Sequence, residues 1–411
     1  MQRVYFIGFL LCAKLNFAQS LRSFDVDSSF SGKQLILVNG IADYSASTMR
    51  NAILSPLIFG GFIDSAAKAN SRHDKSFNTF GFEGNAAYTH FFSIKDSDGF
   101  PARWMLGPTV GTHYIGALRY TSDLYTLAFY GNEPFLGKYV DFSFSGASYY
   151  QFHTLGVSLF DRISQSSLSV NLVGLTSYYK ASLGGNVPMR FYYTEQGDSI
   201  YGICNGSFSQ ANSPAYLKGL GLSVSGDYRF KIINEENGKS MSMQLSVSNL
   251  GFAYANQVKT QQIDTSFAFG GYTISQVVNR EGLLAPGFSY ADSLLTTVSK
   301  PKLVLLPANI QIFNVVDVNA QARLQLSYGF KMLLMSGYIP YVYAGVVTRV
   351  APKFHVGLCA SYGGFSGVKL NTAFHYRSNK FSLGIGSDNI IGLFSKNAFG
   401  KSLSIRMRCD I

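Results

Sequence analysis

The last ten residues, 402–411, set Leu403, Ile405, Met407, Cys409 and Ile411 in strict alternation with Ser404, Arg406, Arg408 and Asp410. Residues two apart on a β-strand share a face, so this strand has one apolar side and one polar side. The same pattern recurs along most of the 411 residues. A strand that turns its apolar side to lipid must have all its backbone groups paired, which a closed barrel achieves and an open sheet does not. The expected fold is therefore all-β: a transmembrane antiparallel up-and-down β-barrel closed by this final strand. About 14 strands are expected, within a range of roughly 12 to 16, since such barrels take an even number.

The clearest support is the segment 219–248. Leu220, Leu222, Val224, Tyr228, Phe230 and Ile232 share one face, and Ser223, Ser225, Asp227, Arg229 and Lys231 the other. An Asn237-Gly238 hairpin signal follows. The chain then returns with Met241, Met243, Leu245 and Val247 opposed to Ser242, Gln244, Ser246 and Ser248. Each arm approaches the roughly 9–11 residues that a tilted strand needs to cross a bilayer. Comparable alternation predicts strands at 322–332, 354–362 and 368–376. Weaker patterns place others at 80–94, 104–120, 140–148, 154–160, 168–180, 266–275, 303–313 and 341–350.

Two regions break the rhythm. Residues 47–69 read as two short helical or irregular pieces, with Ser47 as a cap and with Pro56 and Gly60-Gly61 as interruptions. Lying ahead of the first clear strand, they are expected either to fold into the lumen as a plug or to form an N-terminal arm. Residues 279–302, with Pro286, Gly287 and Pro301, read as a long loop, and 184–213 as a further excursion with a strand extension near Met189.

The first twenty residues have Arg3, then an apolar run from Val4 to Ala13, then small and polar residues around Ala18. This is the pattern of a secretory signal, too short to span as a helix. The expected division is a signal peptide at 1–18, an N-terminal arm or plug at 19–76 and the barrel at 77–411. Charged residues make up only 14% of the chain and aromatics 15%, against roughly 25% charged in soluble domains. That balance suits a barrel with lipid outside, a polar lumen and aromatic girdles. The net charge of +11 comes from basic residues scattered singly, with no dense run, so no nucleic-acid partner is expected.

No catalytic constellation is legible. His73, His90, His113, His153, His355 and His375 form no arrangement with Ser, Asp or Asn that would activate a nucleophile. Cys204, Cys359 and Cys409 lack metal-ligand spacing, so neither a metal nor a cofactor is expected. The polar residues of interest are Arg229, Arg323, Lys331, Lys369, His375 and Arg377, all on the polar parity of strong strands. They are expected to line the lumen, where they either pass an anionic or amphiphilic solute or simply pair with carboxylates.

Several short stretches resemble uncharacterised outer-membrane barrels of Bacteroidota, themselves similar to the long-chain fatty-acid transporter (FadL-like) barrels. These are Gly60-Gly61-Phe62-Ile63-Asp64, Asn78-Thr79-Phe80-Gly81, Leu155-Gly156-Val157-Ser158, and Leu383-Gly384-Ile385-Gly386-Ser387-Asp388-Asn389. The resemblance implies a barrel of the expected size, an N-terminal segment in the lumen, and passage of hydrophobic molecules through a lateral opening. The chain departs from the usual pattern at its end, where Ile411 stands in place of an aromatic. The expected role is a porin-like channel or transporter for small or hydrophobic solutes in the outer membrane of a Gram-negative bacterium, in contact with outer-membrane lipid. The alternative is a non-transporting structural subunit or partner within a larger outer-membrane assembly for protein export or insertion, and neither reading expects an enzyme.

Overall fold

The computed structural model describes residues 33–71, 77–94, 103–233, 240–270, 295–316 and 323–411. The expected signal peptide at 1–18 and the Asn-Gly turn lie outside the described residues. The chain forms β1 (Gln34–Ala46), β2 (Asn78–Ser93), β3 (Trp104–Tyr120), the short β4 (Tyr139–Asp141), β5 (Ser145–Asp161) and β6 (Ser166–Leu183). A short β7 (Arg190–Tyr193), then β8 (Ile200–Ala211), β9 (Gly219–Ile233) and β10 (Ser240–Phe269) follow. The remainder comprises β11 (Thr296–Leu305), β12 (Asn309–Asn314), β13 (Leu324–Leu333), β14 (Ile339–Ala351), β15 (Phe354–Gly364), β16 (Val368–Arg377), β17 (Phe381–Ser387) and β18 (Gly400–Asp410).

These strands make one antiparallel sheet that closes on itself, because β1 and β18 pair from Leu35 opposite Asp410 to Ser45 opposite Gly400. Closure removes the free edges that lipid could not satisfy. β8 and β9 follow one another between β6 and β10 and share one place in the wall. β11 and β12 share another along β10, and β4 and β7 stand as an annex beside β8. The wall therefore has 14 places, the expected number. Both barrel ends of the chain lie at one rim, here the lower; the opposite rim is the upper.

The barrel starts at Gln34, and not at the expected residue 77. Leu35 and Leu37 face inward onto Phe91, Met105 and Phe160, so the first strand is apolar on both faces and carries no period-two signal. The long loop expected at 279–302 already contains the start of β11, and the excursion at 184–213 contains β7 and β8. Elsewhere the alternation holds. Leu106 and Val110 on β3, Leu155 and Val157 on β5, Leu168, Val170 and Leu172 on β6, and Leu220 and Leu222 on β9 are exposed on the outer face. This apolar band is a lipid-facing surface. Among the described residues no helix is long and apolar enough to cross a membrane.

The wall is uneven in height. β3, β5 and β6 run 17, 17 and 18 residues and β10 runs 30, while β13 and β16 run 10 each. Crossing takes roughly 9–11 residues, so the long strands project beyond the bilayer at the upper rim. Their projecting outer faces are covered by α1 (Asn51–Phe59) and α2 (Ser65–Asn70) from the β1–β2 connection, and by α3 (Ser122–Tyr130) after β3. Ile53, Leu54 and Ala67 pack there on Tyr44, Phe80, Phe82, Leu118 and Tyr120. Tyr44 opposes Phe82 and Phe80 opposes Leu118 in the register, on the same face as the exposed Tyr88 and Leu106. Residues 47–69 are thus an outer shelf and not a luminal plug. An apolar helix finds its partners on the aromatic outer face; the inner face of β1 and β2 carries Asp43 and Glu83. α1 takes Arg50, not Ser47, as its N-cap, and Ser47 instead accepts a bond from the Thr79 amide. A fourth short helix, α4 (Ile390–Phe394), links β17 to β18 and is tied to α1 by Asn51, whose side-chain amide donates to the carbonyls of Gly392, Ser395 and Gly400.

Candidate functional site

The interior divides into a polar part and an apolar part. On the polar part, β13, β15 and β16 turn Lys331, Ser361, Lys369 and Asn371 inward. Lys331 Nζ donates to Glu83 Oε2 at 2.6 Å, both side chains being almost fully buried. β2 and β13 are the second and ninth of the 14 places, so this ion pair ties opposite walls together. Lys369 Nζ reaches Ser45 Oγ at 3.4 Å. Asn371 donates to the Tyr341 hydroxyl at 2.6 Å and accepts from Ser361 at 2.7 Å. Asp43 lies opposite Glu83 in the β1–β2 register, and Asp388, just beyond β17, is also buried. A buried charge of this kind is costly unless paired, and removing one partner leaves the other stranded.

Above this layer, two short links bend into the lumen. The β13–β14 link, 334–338, brings Met335 and Tyr338 inward, and the β15–β16 link brings Phe365. Tyr338 and Phe365 meet edge to face at 5.1 Å, and Lys331 Nζ lies 5.6 Å from the Tyr338 ring. The Phe365 ring rests directly on the backbone of Gly81 across the barrel, where any side chain would collide with it. The Thr79 hydroxyl donates to the Phe365 carbonyl at 3.0 Å. Gly337, with φ of 81°, turns against Thr79 and the stem of Arg119. Among the described residues, these two links from the low wall are the ones that enter the lumen.

The apolar part of the interior is the continuation of the same cluster. Ile115, Phe152, Leu175, Tyr178, Ala211, Ala255, Val258, Leu306 and Leu333 are all buried there. Barrel lumens are ordinarily polar, so this patch is the departure. It borders the wall place shared by β8 and β9, where the strand is broken. β9 leaves β6 at Leu175 and β8 rejoins it only at Tyr179, with 212–218 looping out between them. Backbone bonds from Lys218 to Leu175 and from Asn212 to Gln257 pin the ends of the excursion. Outside, Tyr216 OH sits 3.1 Å from His153 Nε2, and Leu217 covers Gly174. On the other side of β10, 306–308 interrupt the second shared place.

The six expected residues do not form one site. Lys331 and Lys369 meet in the polar cluster. His375 is buried lower down, beside His355, with ring centroids 6.2 Å apart. Arg229 lies on the other side, bonded to Gln165 and Gln244 at 3.3 and 3.2 Å. Arg377 is half-buried and Arg323 exposed at the lower rim. Glu83, Asp43 and Tyr341 belong to the cluster but lie outside the six residues that strand parity singles out. Glu83 was within reach, since it falls on the parity opposite to Phe80 and Phe82 and must face inward. Among the described residues no group of three or more His, Cys, Asp or Glu side chains is arranged to hold a metal.

No family model and no curated protein matches the chain. Solved structures do. A mutant form of the monoaromatic hydrocarbon channel TodX superposes with a TM-score of 0.46 at 10% identity, over 95% of this chain and 92% of that one. A Pseudomonas aeruginosa FadL homologue gives 0.36 at 11% identity, over 97% and 95%. The translocator domain of the autotransporter NalP from Neisseria meningitidis gives 0.32 at 7% identity, over 95% and 91%.

Proposed function

We propose that this protein is an outer-membrane channel of a Gram-negative bacterium that admits small hydrophobic solutes and releases them sideways through its wall. One observation carries the reading: the apolar luminal patch of Phe152, Leu175, Ala211, Ala255 and Val258 borders the broken strand place between β6 and β10. An apolar solute gains by leaving water for such a patch, and the break is where backbone pairing leaves room for it to continue into lipid. Entry from the upper rim requires the links 334–338 and 365–367 to swing off β2, because Tyr338 and Phe365 project into the interior and Phe365 is seated on Gly81. The polar cluster of Lys331, Glu83 and Lys369 then works as structure, holding the walls at a fixed separation, with no catalytic step assigned to it.

The test is uptake of an apolar fluorescent reporter by vesicles carrying the purified barrel. Deleting 213–217 lets β8 run into β9 and heals the break. Uptake by the parent well above that of empty vesicles, and its loss on deletion in a barrel that still folds, is the expected result. Uptake that survives the deletion overturns the lateral route. A parent barrel no better than empty vesicles, recovered in fixed ratio with other membrane proteins, overturns the channel itself.

A further inference from the structure

The outer shelf has a chemistry that covering the strands does not require. Its inner side, with Ile53 and Leu54, is spent on β1–β3, yet its outer side projects Leu57, Phe59 and Phe62, the last 87% exposed. α4 beside it projects Ile391 and Phe394 in the same way. Around these apolar groups the charge is one-sided. Arg50 precedes α1, Lys68 lies in the last turn of α2, Lys396 follows α4, and Lys401 stands opposite Tyr44 in the β1–β18 register. The single exposed acid of the shelf, Asp64, is engaged as the cap of α2, accepting from the Ala67 amide at 2.6 Å.

Height along the wall fixes where these groups lie. On β3 the exposed outward side chains run from Trp104 through Leu106 to Val110, with the half-buried Tyr114 above them. That stretch matches the roughly 9–11 residues of one crossing, and the outward Leu118 and Tyr120 beyond it are the ones beneath the helices. The shelf thus sits at the upper boundary of the bilayer. Apolar side chains on one side with cations around them are the composition of a helix that lies in a membrane interface, and basic residues within reach of phosphates favour anionic lipid.

We propose that the shelf is a binding surface for anionic, phosphate-bearing lipid of the leaflet at the upper rim. Leu57, Phe59 and Phe62 enter the acyl region, and Arg50, Lys68 and Lys396 meet the phosphates. This rests on the barrel spanning a membrane and not on what it transports.

The test uses the whole chain with its single tryptophan removed, Trp104→Phe, and a reporter introduced as Phe62→Trp. The protein is placed in phosphatidylcholine vesicles containing phosphatidylglycerol, with one lipid or the other brominated in the upper part of its acyl chains. Fluorescence of the new indole should be quenched by both lipids, and at equal mole fraction about twofold or more by the brominated phosphatidylglycerol. Neutralising Arg50, Lys68 and Lys396 to Gln should abolish that preference while leaving the quenching. The reporter Tyr139→Trp, on the annex, should not be quenched. An indole at position 62 open to iodide but untouched by brominated lipid overturns the proposal, as does equal quenching by the two lipids. Shielding from both quenchers, which would mean a protein cover, also overturns it. Heat-dependent migration on gels verifies that each variant is folded, and reporter uptake measured on the same vesicles keeps this outcome separate from that of the channel.

Discussion

The β1–β2 connection and the two links of the low wall leave the same rim and go opposite ways. The long connection folds outward into a helical shelf, and the short links fold inward into the lumen. Length does not decide this; the chemistry of the available face does. Outside, the projecting strands offer Tyr44, Phe80, Phe82, Leu118 and Tyr120, on which Ile53 and Leu54 can bury their whole surface. Inside, at the same height, β1 and β2 offer Asp43, Glu83 and the bare backbone of Gly81. That surface suits a single aromatic ring laid flat on glycine, flanked by an ion pair, and does not suit an apolar helix.

Substitutions can break each side of this contrast separately. The largest effect is expected at Lys331→Met, which takes the ammonium away from the buried Glu83 carboxylate and should cost about 3–5 kcal/mol. Denaturant titration of barrel refolded into vesicles measures it, and the double variant with Glu83→Leu should recover most of the loss. On the outer side, Leu54→Ala removes a fully buried side chain from beneath the shelf and should cost about 2–4 kcal/mol. Proteolysis should then cut within 47–70 while the wall stays intact. Gly81→Val overpacks the site beneath Phe365, with an expected cost of about 1–3 kcal/mol. Because it pushes the inward links off β2, it should also raise single-channel conductance; unchanged conductance would mean that these links do not close the lumen.

The smallest effect concerns the annex, which neither covers the shelf nor enters the lumen. Partial burial alone would raise the Asp141 carboxyl, but hydrogen bonds from Ser143 and the Arg190 guanidinium, 2.7 Å away, outweigh it and hold Asp141 below the usual carboxylate range. A lowered folded-state value means stabilisation that is present above the ordinary carboxylate range and lost as pH falls through the lowered value. The pair is substantially exposed, so less than about 1 kcal/mol is at stake. Protease cleavage near β4 and β7 should therefore rise only in acid, and Asp141→Asn should flatten that dependence.

Much of the wall could be read from alternation, and the exceptions share one cause. β9, β13, β16 and β18 face lipid on one side and polar groups on the other, so period two shows plainly. β1 does not show it, because Leu35 and Leu37 pack inward on Phe91 and Met105 while Ile36 and Val38 face out. The broken strand place was hidden for a related reason: β8 and β9 are two segments of one wall place, and only pairing to β6 and β10 reveals their continuity. Of the polar residues, parity puts Lys331 and Lys369 on the inner face of their strands, and both side chains are buried. It could not say that Glu83, 248 positions earlier, would be the partner of Lys331. The sequence leaves 47–69 open between a plug and an arm, because an apolar stretch ahead of the first recognisable strand looks the same whether it is destined for a lumen or for the outside of a wall.

The Lys331–Glu83 pair has a consequence for assembly. Its partners belong to the second and ninth wall places and are 248 residues apart, so neither can be neutralised by the other until most of the circumference exists. Contacts between such distant parts of a chain form late, after the entropy of bringing them together has been overcome. Until that moment the attraction across the lumen is absent, and both charged side chains face the inside of an unfinished cylinder, where a charge is cheapest when hydrated. The pair is thus a mark of completion: an assembly intermediate is wet along its axis, and the finished barrel is the first state in which that water can leave.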